Sequence, residues 1–352
     1  MSHLFRPLVL TCFGLVLGGC APTVTSGPAG HFAQEKLADL NGFVVVRTDG
    51  GARASEQVSV GGAADILKNY DVIFLGEVHR HPANHIAQMA LFRAIHERTA
   101  AVSLSLEQFE RDVQTSLDSY MAGDIGEEAF RERTRAWDNY PVSYRPLVEY
   151  AKDHRLPVVA AEAPTMVVRC VGQEGASFLE RLRPDQRGWA AAKLNLMDGP
   201  YKEKYMRFAQ GDGAHGEDND KVHKQPSAPS DAALRSFAAQ VTRDDTMAES
   251  IYLHMQQNPG RKVVHLNGNF HSESFLGTAE RLALRNPSLK IAVVNPIQVK
   301  DPNDLRVSAE DAKTGTFVLL IRSAPKSYAS SDEMKAAIAK QMEFRGKNKC
   351  DL

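Results

Sequence analysis

The stretch Ile73-Phe74-Leu75-Gly76-Glu77-Val78-His79-Arg80-His81-Pro82-Ala83-Asn84-His85 decides how this chain is read. It runs from an apolar segment into a carboxylate and several histidines. Asp71–Leu75 is apolar without alternation and is bounded by turn residues, the pattern of a strand buried on both faces. From Ile86 onward Met89, Phe92 and Ile95 recur at helical spacing. Glu77 and His79 are therefore expected at the carboxyl end of a buried strand, just before a helix. In open α/β sheets that edge is where ligands bind.

The same rhythm recurs along the chain. Ala101–Leu106, Pro157–Ala161, Val263–Leu266, Lys290–Val294 and Thr316–Ile321 are further apolar runs separated by helical or irregular sequence. Such runs predict an α/β fold, a mostly parallel sheet flanked by helices. Phe43–Arg47 and Gln57–Val60, joined through Asp49-Gly50-Gly51, predict a leading hairpin. About a hundred residues between Ala161 and Val263 lack a clear strand, which predicts an inserted, smaller all-helical subdomain. The expected organisation is an α/β domain over 41–165 and 258–325, a helical subdomain over 166–257 and a C-terminal helix or tail over 326–352. Residues 211–230 are polar without apolar period and read as a mobile loop, with His215 and His223 as solvated residues or metal contacts.

The beginning of the chain reads as an address. Arg6 and the apolar Leu8–Gly19 form a signal peptide over residues 1–19, ending in Leu17-Gly18-Gly19-Cys20, which looks like a lipobox. Cys20 is the expected lipidation site and residues 20–40 the lipidated tether, which predicts a lipid-anchored protein of the cell envelope, at the outer membrane of a Gram-negative bacterium. A formal net charge of −1 leaves no electrostatic footprint for nucleic acid. Cys170 and Cys350 remain after Cys12 and Cys20 are set aside, and sequence leaves open whether they pair.

Each main strand is expected to end in polar groups: Glu77 with His79, then Glu107, Glu162, Asn267-Gly268-Asn269-Phe270-His271, and Asn295. Parallel strands bring such ends to one edge, so three carboxylates and two histidines converge. Carboxylates held together raise one another's pKa unless a cation compensates. A divalent metal on Glu77, His79, Glu162 and His271 is one such arrangement. Glu77, His79, Glu107 and His271 are also the candidate catalytic residues of a metal-dependent hydrolase.

Gly76-Glu77-Val78-His79, Glu107, Trp137, Tyr144-Arg145-Pro146-Leu147, Ala161-Glu162-Ala163-Pro164, Asp245-Thr246-Met247-Ala248 and Gly268-Asn269-Phe270-His271 together resemble the ChaN family. The family sits within the Tiki, TraB and erythromycin-esterase-like superfamily, and the resemblance covers about residues 60–300. Glu162, where the family motif has Asn, and Asn269-Phe270 before His271 depart from its pattern. The resemblance implies an iron-regulated, haem-binding lipoprotein that takes part in haem or iron acquisition. It further implies haem at a homodimer interface against the helical part, a tyrosine oxygen on the iron, and an outer-membrane haem receptor system as a possible partner.

On that basis Tyr201-Lys202-Glu203-Lys204-Tyr205-Met206-Arg207-Phe208 is the best source of a ligand. Tyr201 and Tyr205 are four residues apart and share a helical face, with Tyr205 slightly ahead. Lys204 and Arg207 are expected to meet propionates, and His79 and His271 are further haem contacts. Two functions thus compete, a haem-binding lipoprotein that needs no catalysis and a hydrolase using the strand-end cluster.

Overall fold

A computed structural model describes residues 36–209, 229–346 and 350. All of them fall in one compact unit. The signal segment, Cys20, most of the tether and nearly all of the 211–230 loop, with His215 and His223, lie outside the described residues.

Eight strands form one sheet among the described residues: β1 (Phe43–Arg47), β2 (Glu56–Val58), β3 (Val72–Glu77), β4 (Val102–Glu110), β5 (Val158–Glu162), β6 (Lys262–Gly268), β7 (Ile291–Val299) and β8 (Phe317–Arg322). Their spatial order is β2-β1-β8-β7-β3-β6-β4-β5. The six strands from β3 to β8 pair in parallel, while β1 joins β2 and β8 antiparallel. Each apolar run expected to be a strand is one, and the leading hairpin forms. Asp49, Gly50 and Gly51 turn it at φ of 49°, 66° and 82°, backbone that glycine adopts without a Cβ clash.

Helices fill the connections. α1 (Val60–Leu67) precedes β3, and α2 (Pro82–His96) follows it, with Pro82 in its first turn where no amide donor is missed. α3 (Gln114–Ala122), α4 (Glu127–Arg133), α5 (Tyr140–Ser143) and α6 (Arg145–Asp153) lie between β4 and β5. α7 (Thr165–Glu174), α8 (Pro184–Arg187), α9 (Pro200–Ala209) and α10 (Asp231–Gln257) lead to β6, α11 (Thr278–Arg285) to β7 and α12 (Ala309–Ala312) to β8. α13 (Ser331–Gly346) closes the chain.

Alternate residues of β3 face opposite layers, as a pleated strand requires. Ile73 and Leu75 pack with Ala64 and Leu67 of α1 and Leu91, Phe92 and Ile95 of α2. Val72 and Phe74 pack with Ala248 and Ile251 of α10 and Ala279 and Leu282 of α11. Within the segment expected to be a helical subdomain, α10 is thus itself a covering helix of the sheet.

β3 lies between β7 on one side and β6 on the other, and the chain's direction across the sheet reverses there. That crevice at the carboxyl ends of β3, β6 and β4 is the switch point at which α/β sheets bind ligands. It is where the polar strand ends meet.

Candidate functional site

Glu77 ends β3 and is buried. Its Oε1 accepts from His79 Nδ1 at 2.7 Å and from the Tyr144 hydroxyl at 2.6 Å, and its Oε2 accepts from Gln88 Nε2 at 3.0 Å. Burial alone raises a carboxyl pKa; here His79, His85 and the Tyr144 hydrogen bond outweigh it and hold Glu77 below its ordinary value. The His79 imidazole is lowered by burial, but the Glu77 and Glu107 carboxylates outweigh that and raise it. His79 stays half exposed, with Trp137 edge-on at 5.4 Å.

A second acid–histidine pair faces the first. His271 follows β6 by three residues, and its Nδ1 lies 2.8 Å from Asp244 Oδ1. Asp244, fully buried on α10, also accepts from Thr278 Oγ1 at 2.9 Å and from the Tyr201 hydroxyl. Burial lowers the His271 imidazole, but Asp244 and Glu107 prevail and lift it to about 9. Burial likewise raises Asp244, and His271 pulls it below its ordinary value. Glu107 joins the two pairs: Oε1 is 3.8 Å from His271 Nε2, and Oε2 accepts the Gly268 amide at 2.5 Å.

Gly268 makes the close approach possible. A Cβ there would lie 2.7 Å from His79 Nε2, closer than atoms can sit. Gly268→Ala is expected to push the imidazole off Glu77, at a cost of about 1–2 kcal/mol. The His79 pKa, followed by NMR titration, then falls back towards 6.5. An unchanged titration would show that His79 does not depend on this contact.

Several expected residues are placed differently. β4 does not stop at Glu107 but continues to Glu110, and its register against β5 breaks between Leu106 and Glu110. Glu107 therefore reaches the site from within a strand. Glu162 makes no direct contact with the two pairs: its Oε2 is 2.8 Å from Arg243 Nη1 and its Oε1 accepts the Ala163 amide at 2.6 Å. Burial, aided by Glu107 and only partly opposed by Arg243, lifts Glu162 to about 7.

The expected four-residue metal shell of Glu77, His79, Glu162 and His271 is corrected accordingly. Among the described residues no group of three or more His, Cys, Asp or Glu converges as a metal site. The physical reason is pairing: Glu77 spends its oxygens on His79, Tyr144 and Gln88, His271 is held by Asp244, and Glu162 turns to Arg243. The arrangement is two acid–histidine pairs with Glu107 between them.

Asp244 and Arg243 were not readable as site members, and although Tyr144 stands among the family motifs, its hydroxyl bond to Glu77 was not. The available signal was Arg243-Asp244-Asp245 in the middle of a long helix, three consecutive charges of which Asp244 and Asp245 are both buried. Asp245 receives the Asn195 amide at 2.6 Å and lies 3.5 Å from Arg281 and 3.6 Å from Arg285.

α9 presents the tyrosines. The Tyr201 ring is buried, and its hydroxyl donates to Asp244. Burial and then the Asp244 charge raise its pKa well above the ordinary phenol value. Tyr205 is raised by burial, but its hydroxyl meets the exposed, neutral Ser236 Oγ at 2.5 Å. Its ring packs with Phe237 at 5.4 Å, Phe270 at 6.3 Å and Phe208 at 6.4 Å. Phe208 is 47% exposed, so this aromatic cluster opens to the surface. Lys204 lies over Phe270 at 4.4 Å and pairs with Glu273 at 2.9 Å, and Arg207 is exposed.

Comparison with known proteins gives a consistent result. A family model described as haem-binding uptake, Tiki superfamily, ChaN matches residues 63–282. The fold is similar to that of ChaN of Campylobacter jejuni, whose structure concerns cofacial haem binding: TM-score 0.55, 16% identity, covering 80% of this chain and 97% of that one. An erythromycin esterase in its open conformation is more distant, with TM-score 0.41, 14% identity, and coverage of 85% and 87%. Protein RETICULATA-RELATED 5, chloroplastic, of Arabidopsis thaliana is 29% identical over 199 residues, which are 53% of this chain and 25% of that protein. The chain thus spans about a quarter of the length of that curated relative. With the family model covering more than half of its length, and the Glu77–His79 and His271 strand ends inside the match, the chain belongs to the ChaN family of haem-binding uptake proteins in the Tiki superfamily.

Proposed function

We propose that the protein binds haem on the aromatic face of α9 and serves haem or iron acquisition as a lipid-anchored envelope protein. Membership in a haem-binding family carries the reading. The donor set of α9 supports it: a buried phenol whose hydroxyl meets the exposed Ser236, an aromatic cluster that opens to solvent at Phe208, and cationic side chains beside it. Haem, once held there, would supply a ferric iron open to coordination by a phenolate oxygen.

Tyr205 is the proposed ligand. Its hydroxyl partner Ser236 carries no charge, whereas a Tyr201 phenolate would face the Asp244 carboxylate. Phe208 and Phe270 would stack against the macrocycle, and Lys204 and Arg207 would meet propionates. His79, half exposed, is a further candidate contact, whereas His271 is buried and held by Asp244. Lipidation at Cys20, outer-membrane residence, a homodimer and an outer-membrane haem receptor belong to the same proposal and rest on the sequence. No helix among the described residues is long and apolar enough to cross a membrane, and the proposed attachment needs none.

Titration of the purified protein with hemin tests this reading. A saturable Soret shift with a phenolate charge-transfer band is expected at micromolar hemin, and Glu77→Gln should leave it largely intact. Absence of a saturable shift would remove the haem assignment. Ester or peptide turnover that is lost in Glu77→Gln would favour the hydrolase instead.

A further inference from the structure

Cys170 sits on the inner face of α7, fully buried against Val167, Val171, Phe178 and Ala238. Cys350, at the far end of the chain, packs against the same cluster. Its thiol donates to Gln173 Oε1 at 2.8 Å, and Gln173 lies one helical turn beyond Cys170 on α7. Both cysteines are free thiols. Among the residues of α13 whose side chains are described, none is buried. The two cysteines of the described residues thus meet at this cluster.

We infer that Cys170 and Cys350 form a reversible disulfide that ties the C-terminal end of the chain to α7. Exposure fixes the order of events. Cys350 is half-buried and reachable, whereas burial first, and then the Cys350 thiol in hydrogen-bond reach, push the Cys170 thiol up to about 12. A low-molecular-weight or protein disulfide is the oxidant. The Cys350 thiolate attacks one of its sulfurs, forming a mixed disulfide and expelling one thiolate. Cys170, giving up its proton to that departing thiolate, attacks the Cys350 sulfur and expels the second thiol. Two protein S–H bonds and the oxidant S–S bond break; one protein S–S bond and two S–H bonds in the products form. The protein loses two electrons and two protons, and the oxidant gains both.

Incubation of the full-length protein with glutathione disulfide, followed by acid quench, alkylation and non-reducing peptide mapping, tests this. One cross-linked species joining the Cys170 and Cys350 peptides is expected. Its formation should raise the melting temperature by a few degrees, slow amide exchange over α13 about tenfold, and reverse with dithiothreitol. Cys350 is only half-buried at the edge of the cluster, so Cys350→Ser should abolish the cross-link and the shift while hemin titration stays unchanged. Recovery of both peptides fully alkylated after oxidation would overturn the inference. So would a lasting glutathione adduct on Cys350, or a Cys350 link to Cys20.

Discussion

Asp244→Asn is expected to destabilise the protein by about 3–5 kcal/mol at neutral pH, the cost of removing one partner from a buried ion pair. The carboxylate has no water to replace what it gives. It is fully buried, and it holds His271 Nδ1 at 2.8 Å, Thr278 Oγ1 at 2.9 Å and the Tyr201 hydroxyl. An amide preserves the shape but cannot accept all three donors or neutralise the imidazolium. The sign of the pH dependence follows from the direction of the His271 shift. Its folded pKa of about 9 lies above its ordinary 6.5, so the native state holds a proton the unfolded chain has lost. The stabilisation is therefore fully present below 6.5 and disappears as pH rises through about 9. At 1.36 kcal/mol per pKa unit, this window is worth on the order of 3 kcal/mol. Asp244 works in the opposite sense. Its folded pKa is lowered, so its contribution is present above the ordinary carboxyl value and lost on acidification. Denaturant unfolding of wild type and Asp244→Asn at pH 6, 7.5 and 9.5 checks both statements. Wild type should lose stability between the first and last pH, and the variant should start lower and vary less. A flat wild-type profile would mean that His271 is not held as a cation.

What could be read from the sequence follows from where the information is local. The buried strands announce themselves because a strand covered on both faces needs no polar alternation; Ile73–Leu75 satisfies that residue by residue, and Val263–Leu266 does so except at His265. The site at the carboxyl edge follows from the same reading, since Glu77 and His79 must leave the sheet where β3 ends. The continuation of β4 through Glu107-Gln108-Phe109-Glu110 was hidden, because polar residues at a register break look like a loop. Asp244 was hidden for a different reason. On a helical wheel Arg243-Asp244-Asp245 reads as a solvated turn, and only the return of His271, Thr278 and Tyr201 from distant positions gives Asp244 its partners. Glu162 shows the converse. Its strand-end position was legible, but Arg243, eighty-one residues further along, draws its carboxylate away from the cluster.

The two tyrosines of α9 should separate haem ligation from structural support. Tyr205→Phe is expected to abolish the phenolate charge-transfer band and weaken hemin binding at least tenfold while leaving stability nearly unchanged. Its hydroxyl bonds only to Ser236 Oγ among the described contacts, a part-buried hydrogen bond between neutral groups, and the loss of such a bond costs about 1 kcal/mol. Phenylalanine keeps the aromatic packing with Phe208, Phe237 and Phe270. Tyr201→Phe should do the reverse. It deprives the buried Asp244 of a donor, at about 1–3 kcal/mol, and leaves the charge-transfer band in place. The asymmetry is electrostatic: ligation requires a phenolate, and two anions in a buried site repel strongly. The Asp244 charge opposes that ionisation at Tyr201, whereas only desolvation, which iron coordination would offset, opposes it at Tyr205. Paired hemin titrations and unfolding curves of the two variants decide the matter. Loss of the band in Tyr201→Phe with retention in Tyr205→Phe would reverse the assignment and require the Tyr201–Asp244 bond to open when haem binds.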